Sequence, residues 1–204
     1  METSAATAAT AATAATTRSR AKADRRAALL HAAARLFAER GFPRVSLDDL
    51  GAAAGVSGPA VYRHFASKQA VLAALLVDAS EGLRTQGRAV AAAAPDDGTA
   101  LERLVAFHVD FALKNPDVIR VQDHDLDNLA DSDRYAVRAL QREYVELWVD
   151  VLTRVRPEEP RGALRTRAHA TFGLLNSTPY SNRAGASSGT RGTLERMALA
   201  ALRS

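Results

Sequence analysis

The sequence contains no cysteine, few aromatic residues and no long apolar run. Without cysteine the chain cannot form a disulfide, a thiolate zinc site, an iron–sulfur cluster or a cysteine nucleophile. No apolar segment approaches the roughly 18 residues that a membrane-spanning helix needs. The acidic start, Met1-Glu2, is not followed by the apolar segment of a secretory signal. We therefore expect a cytoplasmic protein with no membrane contact.

The length and apolar content set the size of the fold. The chain has 204 residues, of which 47% are hydrophobic. That is enough for one domain of ordinary size or two small ones with a buried core, so disorder throughout the chain is excluded.

Positive charge is concentrated in the first third of the chain. Residues 18–68 carry ten Lys or Arg and four Asp or Glu, whereas residues 69–204 carry seventeen and eighteen. This excess predicts an anionic partner for the first third, unless the basic residues only solvate helix surfaces.

The N-terminal segment has a composition unlike the rest. Residues 3–17 are alanine and threonine with one serine, and they offer no apolar stripe to bury. The basic residues of 18–26 follow. We expect residues 1–24 to form a disordered tail and a basic arm, ahead of domains at 25–70 and 71–204.

Apolar residues recur at helical spacing along the remaining chain, and no window shows the alternation of a strand. The pattern predicts an all-α fold with about nine helices. The first helix places Leu29, Ala33, Leu36 and Phe37 on one apolar stripe.

Residues 46–65 have the pattern of a helix-turn-helix. Ser46 and Asp49 suit a capping box, Gly55-Val56-Ser57 suits a tight turn, and Pro59 suits the first turn of a helix. In such a motif the second helix enters the major groove of DNA. The window therefore predicts a DNA-binding surface.

Residues 37–72 resemble the DNA-binding domain of the tetracycline-repressor (TetR) family. The resemblance rests on an ordered series of positions: Phe37, Gly41-Phe42, Ser46, Gly55-Val56-Ser57, Tyr62-Arg63-His64-Phe65 and Ser67-Lys68. It implies an all-α homodimer with an N-terminal three-helix DNA-binding domain and a helical domain for effector binding and dimerisation.

The resemblance also implies roles for individual residues. Phosphate contacts are expected at Ser46, Ser57, Tyr62, His64 and Lys68. Base contacts are expected at Pro59, Ala60 and Arg63. Arg44 is expected to reach DNA as well, and the small residue Gly58 allows close approach to the groove. The alternative for Tyr62 and His64 is packing within the helices.

The large side chains of the second domain concentrate in its middle helices. They predict an apolar effector pocket with a few polar groups, and its candidate residues are Phe107, His108, Phe111, Leu126, Tyr144 and Trp148. The alternative for each is ordinary core, and for His108 in particular a hydrogen-bonded core histidine.

Metal, cofactor and enzyme functions find little support in the sequence. Asp123-His124-Asp125 resembles a metal-ligand cluster, but three consecutive helical residues point in three directions. The chain has no nucleophile elbow, phosphate loop or HExxH string. We therefore expect no metal, no cofactor and no enzymatic activity.

Two segments, residues 122–129 and 172–181, resemble TetR-family members that control fatty-acid or steroid breakdown and sense acyl-coenzyme A. A coenzyme A effector would need cationic groups at the pocket mouth, and the candidates are Arg120, Arg134, Arg138 and Arg142.

The last two helices are expected to form a dimer interface, again by family resemblance. One apolar face carries Leu164, Ala168, Phe172 and Leu175, and the other carries Leu194, Met197 and Ala201. Two such faces per subunit would give a four-helix bundle across a two-fold axis.

Together these features predict a ligand-responsive repressor that binds a pseudo-palindromic DNA operator as a dimer and is released by a small effector. Two alternatives are a helical enzyme with an appended helix-turn-helix and a DNA-organising protein without a ligand.

Overall fold

The computed structural model describes residues 3–181 and 188–204. Within these ranges every regular element is helical and no strand occurs, which confirms the predicted all-α fold. Ten α-helices are present there, nine of them with seven residues or more. The chain divides into two compact units, Met1–Leu72 and Ala73–Ser204. Part of the Ser- and Gly-rich loop expected before the last helix, residues 182–187, lies outside the described residues.

The first unit consists of three α-helices and a short 3-10 helix. These are α1 (Thr3–Arg40), the 3-10 helix (Phe42–Arg44), α2 (Leu47–Ala54) and α3 (Gly58–His64). The backbone differs from the expected disordered tail, because α1 already begins at Thr3. Alanine has the highest helix propensity of any residue, so the Ala-rich segment continues the helix that residues 25–40 anchor.

Local signals define the boundaries of α2 and α3. The Ser46 Oγ accepts from the Asp49 backbone N–H at 3.1 Å, and the Ser46 N–H donates to Asp49 Oδ2 at 2.8 Å, completing the predicted capping box. Gly55 ends α2 with φ +67°, a left-handed conformation that glycine adopts without strain. Gly51 allows the two helices to meet, since a Cβ there would lie 2.9 Å from Val61 Cγ2.

The core of the first unit follows the predicted stripe. All four of its residues are at most 2% exposed: Leu29, Ala33, Leu36 and Phe37. The side chains of Leu50 and Val61 are likewise fully buried. This burial fixes which face of α3 points outward.

The second unit contains the remaining helices. They are α4 (Lys68–Ala92), which begins before the unit boundary, α5 (Asp97–Lys114), α6 (Pro116–Asp125), a 3-10 helix (Leu126–Asn128), α7 (Asp131–Val155), α8 (Arg161–Leu175), α9 (Thr178–Ser181) and α10 (Ser188–Arg203). Within the described ranges, none of the helices is both long enough and apolar enough to span a membrane.

Helices α5, α7, α8 and α10 enclose one hydrophobic core, centred on the fully buried Trp148. This core corrects part of the predicted dimer interface. Leu164, Ala168 and Leu175 are 0% exposed within the single chain, so they cannot contact a second copy. Leu194 is half-buried against the same core, whereas Met197 and Ala201 are exposed.

Candidate functional site

The N-cap and outward face of α3 carry four of the ten predicted DNA contacts. Ser57, Pro59, Tyr62 and Arg63 are exposed, and Tyr62 is 58% exposed despite its large apolar ring. A tyrosine with this exposure on a short helix is accessible to an external partner. The half-exposed Gly58 leaves the start of the helix without a projecting side chain.

Ala60 is 8% exposed and is buried together with Val61, although it also lines the groove that contains Arg63 and His64. Its contact with a base stays a prediction.

Lys68 has structural partners in the first unit. Its ammonium donates to the carbonyl oxygens of Phe42 at 2.8 Å and Pro43 at 3.2 Å, and lies 4.4 Å from the centre of the Phe42 ring. An ammonium has three donors, so one remains for a phosphate. The lysine thus connects the start of α4 to the 3-10 helix.

Arg44 and Ser46 lie at the entrance to α2. Both are exposed, and Arg44 Nε donates to the Arg40 carbonyl at 2.6 Å. The Ser46 hydroxyl also donates to Asp49 Oδ2 at 2.6 Å, and this hydrogen bond holds the pKa of the Asp49 carboxyl below its ordinary value. The Ser46 hydroxyl is therefore engaged in capping α2, which leaves it less available to DNA.

The basic segment before the first domain lies on α1 and faces α3. Lys22 and Arg25 line a groove with Arg63 and His64. Burial, and next the positive charges of Lys22 and Arg25, lower the pKa of His64. This part of the predicted basic arm and the end of α3 therefore form one cationic surface.

A cavity of about 180 Å³ lies in the second unit. Five helices, α4 to α8, and the C-cap of α8 contribute to its wall. Its lining residues are Ser80, Leu83, His108, Phe111, Ile119, Gln122, Gln141, Tyr144, Val145, His169, Phe172 and Asn176.

His108 provides the polar centre of this cavity. It is 2% exposed, with Nε2 3.1 Å from Asn176 Oδ1 and Nδ1 3.4 Å from the Tyr144 hydroxyl. Burial lowers the pKa of His108 to about 4, so the imidazole is neutral near pH 7. The amide oxygen can only accept, which assigns the proton to Nε2 and leaves Nδ1 to accept from Tyr144. Burial raises the pKa of Tyr144, which keeps this hydroxyl protonated.

Aromatic rings surround the imidazole. The His108 ring centre lies 4.9 Å from that of Phe172, 5.8 Å from that of Tyr144 and 6.1 Å from that of Trp148. Gly87 on α4 gives the Tyr144 ring its space, since a Cβ at Gly87 would lie 2.6 Å from Tyr144 Cε2. The rings thus form an aromatic wall around the His108 network, and Ser80, Gln122, Gln141 and His169 add further polar side chains to the lining.

Three of the six predicted effector contacts line the cavity, namely His108, Phe111 and Tyr144. The other three do not line the cavity. Phe107 packs against the core, and the Trp148 ring packs against the ring of Phe172. Leu126 lies on the second 3-10 helix. Phe172, predicted at the dimer interface, lines the cavity instead. Asn176 was not named as a candidate contact, although it lies in the segment 172–181 that resembles regulators of fatty-acid or steroid breakdown.

The four arginines predicted at the pocket mouth separate into two groups. Arg120 donates to the Pro179 carbonyl at 2.6 Å and lies 3.4 Å from an Asp117 carboxylate oxygen, and Arg134 pairs with Asp131. The other two, Arg138 and Arg142, line a groove that adjoins the cavity.

The acidic segment Asp123-His124-Asp125 has partners within the chain. The Tyr180 hydroxyl donates to Asp123 Oδ2 at 3.0 Å and lies 3.2 Å from His124 Nε2. Asn128 Nδ2 donates to Asp125 Oδ1 at 3.0 Å. Among the residues whose positions are described, no group of three or more His, Asp or Glu side chains is arranged to hold a metal ion.

Comparison with known proteins identifies the family. Residues 29–75 match the family model described as bacterial regulatory proteins of the tetR family, and residues 97–180 match a tetracyclin repressor-like C-terminal domain. These are helix-turn-helix regulatory proteins of bacteria. The chain belongs to the TetR family.

One curated relative is the HTH-type transcriptional repressor KstR2 of Rhodococcus jostii (strain RHA1), 30% identical over 132 residues. That alignment covers 64% of this chain and 65% of the relative, slightly less than two thirds of its length.

Two solved structures share the fold. A TetR-family transcriptional regulator from Bordetella parapertussis 12822 has a TM-score of 0.78 and 26% identity, covering 87% of this chain and 93% of that chain. The regulator FadR from Bacillus subtilis, solved in complex with stearoyl-CoA, has a TM-score of 0.70 and 14% identity, covering 86% and 96%.

Proposed function

We propose that the protein is a ligand-responsive transcriptional repressor that binds a pseudo-palindromic operator as a homodimer and leaves it when an effector occupies the cavity. The observation that carries this proposal is the presence, in one TetR-family chain, of an exposed helix-turn-helix face and a cavity built around a neutral histidine. The cavity favours an effector-responsive protein over a DNA-organising protein with a solid core.

The DNA-binding part of the proposal assigns α3 to the major groove. Arg63 and Pro59 approach base edges, while Ser57, Tyr62 and His64 approach phosphates. Lys22 and Arg25 extend the cationic surface beside α3. Phosphate contacts of this kind fix the position of the protein on DNA, and base contacts provide the sequence preference.

The cavity indicates what kind of effector group enters it. Its volume of about 180 Å³ is below the roughly 300–1,000 Å³ typical of sites that enclose a drug-sized ligand. The site therefore takes one small or slender apolar group with a polar atom near His108. An acyl thioester has this form, and the stearoyl-CoA bound by the Bacillus FadR supports that class. A long chain or a steroid would require the cavity to widen.

Communication between effector and DNA requires only that the effector prefers one of two conformations. Helix α4 is the candidate element, because it begins at Lys68 and contributes Ser80 and Leu83 to the cavity wall. A coupling of about 1–3 kcal/mol is typical of allosteric proteins.

The proposed homodimer uses the exposed part of α10. Met197 is 50% exposed, and Ala201 is exposed one turn later. Methionine is enriched in interface cores. Met197→Glu is expected to yield monomers in light scattering at micromolar concentration, whereas the exposed substitution Arg196→Glu is the control for charge alone.

The function is tested by fluorescence anisotropy of the purified protein on DNA from upstream of its own gene, against random DNA, across a salt series. Selective binding with a steep salt dependence supports a regulator, and a panel of acyl-CoA thioesters is then added to find release. If neither this DNA nor a selection from random sequences yields a preferred site, the DNA-binding function is rejected.

A further inference from the structure

The hydrogen bonds of the cavity leave His108 without a free ring nitrogen. Its Nδ1 lies 3.4 Å from the Tyr144 hydroxyl, and its Nε2 lies 3.1 Å from Asn176 Oδ1. A neutral imidazole has one donor nitrogen and one acceptor nitrogen, and here both are used within the protein. A polar group of an effector therefore has to find its partner on another residue of the wall.

Gln141 provides that partner. It lines the cavity from α7, three residues before Tyr144 and hence on the same face of the helix. Its side-chain Nε2 is buried, and among the described residues it has no hydrogen-bond partner. A buried donor that stays unpaired is destabilising, so this amide favours an acceptor brought by a ligand. The last torsion of a glutamine side chain is broad, which lets the amide turn towards that acceptor.

The charge of the cavity wall limits which acceptors can enter. Its described lining contains no Asp, Glu, Lys or Arg side chain. Of its two histidines, His108 is neutral near pH 7 and His169 is exposed to solvent. An ionised group that enters such a site loses its hydration and gains no buried charge as a partner. The cavity therefore favours an uncharged oxygen over a carboxylate.

We propose that Gln141 determines the chemical class of the effector: its Nε2–H donates to an uncharged acceptor oxygen, the carbonyl of a ketone, ester or thioester, and the cavity rejects the matching carboxylate. This inference rests on the proposed effector function and identifies the group that the cavity recognises. The volume of about 180 Å³ limits the enclosed part of the effector to slightly more than a benzene molecule, which fits a cavity of about 150 Å³. A carbonyl group with a short alkyl chain is of this size.

Three probes of one shape test the preference: methyl butyl ketone, pentanoate, and the alkene in which a CH₂ group replaces the ketone oxygen. Pentanoate differs from the ketone only in a charged oxygen where the ketone has its methyl group. Trp148 is the only tryptophan of the chain, and its ring packs against those of Tyr144 and Phe172 in the cavity wall. Its indole N–H therefore gives a single NMR signal, and the shift of that signal on titration measures the affinity of the full-length protein for each probe.

We expect the ketone to bind at least about tenfold more tightly than pentanoate, because the carboxylate is desolvated without a partner. The alkene is more hydrophobic than the ketone, so their affinities are compared as a ratio, in the parent protein and in the variants. Gln141→Met keeps the length of the side chain and removes the amide. It should lower the ketone-to-alkene ratio at least about fivefold, because the buried ketone oxygen loses its donor.

Gln122→Met is the matched control, since Gln122 is a second glutamine of the same wall, on α6, and should leave the ratio unchanged. Gln141→Met should also retain the thermal stability of the parent protein, because its Nε2 has no hydrogen bond to lose. The proposal is overturned by an unchanged ratio in Gln141→Met, by an equal fall in Gln122→Met, or by pentanoate binding as tightly as the ketone. No shift of the indole signal with any of the three probes overturns it as well.

Operator binding by the same samples separates this inference from the proposed function. If Gln141→Met binds operator like the parent protein and only its ketone-to-alkene ratio falls, both proposals stand. If the ratio falls but the parent protein has no operator, the role of Gln141 stands and the repressor function fails. If an effector releases the operator but the ratio is unchanged, the repressor function stands and the role of Gln141 fails.

Discussion

The Nε2 of His108 lies 3.1 Å from the Oδ1 of Asn176, which connects the middle of α5 to the residue that caps α8. A neutral imidazole in an apolar cavity needs this partner, because an unpaired buried donor is costly. The contact therefore holds two helices together and fixes which ring nitrogen of His108 carries the proton.

Asn176→Ala tests that contact. The substitution leaves Nε2–H of a buried imidazole without an acceptor, so we expect the free energy of unfolding to fall by about 1–3 kcal/mol. Urea denaturation followed by circular dichroism measures it. Thr166→Ala on the exposed side of α8 is the control and should change stability by less than about 0.5 kcal/mol. Equal effects of the two substitutions would contradict the assigned role.

The stability of the second unit should depend on pH through His108. Its pKa is about 4 in the folded chain, against an ordinary value of 6.5. The unfolded chain binds a proton at a higher pH than the folded chain, so the stabilisation is present above pH 6.5 and is lost as the pH falls towards 4. The loss is on the order of 3 kcal/mol. Urea titrations between these limits measure it, and His108→Gln, which cannot titrate there, should flatten the profile.

Arg63 is expected to read a base or bind a phosphate from α3. If Arg63 contacts a base, Arg63→Gln should weaken operator binding by about 1–3 kcal/mol. If Arg63 contacts a phosphate, the substitution should lower the salt slope, meaning the slope of log affinity against log salt concentration, by about one. Anisotropy across a salt series distinguishes the two. Arg35→Gln removes an exposed arginine paired with Glu39 on α1 and should leave binding unchanged.

Lys68→Met distinguishes a structural lysine from a phosphate contact. The substitution removes the hydrogen bonds to the Phe42 and Pro43 carbonyls, so we expect a loss of about 1–3 kcal/mol in stability. Chemical denaturation gives the stability, and anisotropy gives the salt slope for operator DNA. Unchanged stability with a reduced salt slope would instead favour the phosphate contact that the family resemblance implies.

Gly87→Ala is expected to disturb the cavity. A Cβ at this position lies 2.6 Å from Tyr144 Cε2, so the ring must move, at about 1–3 kcal/mol of stability. Effector-dependent release of operator DNA should weaken too. Gly173→Ala is the control, because a Cβ at that position meets nothing within 4 Å. Replacing a helical glycine with alanine should stabilise the folded protein by up to about 1 kcal/mol. Thermal unfolding compares the two variants.

The sequence determined the features that depend on neighbouring residues. The capping box of Ser46 and Asp49, the turn at Gly55 and the apolar stripe of α1 all follow from local geometry, which the chain carries in order. For the same reason the helix-turn-helix, and with it the family, was recognisable from an ordered series of residues.

Only the tertiary structure decided what covers each apolar face and which distant polar groups meet. Helical periodicity shows that Leu164, Ala168 and Leu175 share a face, but it does not show that the chain's own core buries them. It also does not bring Asn176 to His108 across 68 positions. Contacts of this range depend on how the helices pack, and packing is a property of the whole unit rather than of any single segment.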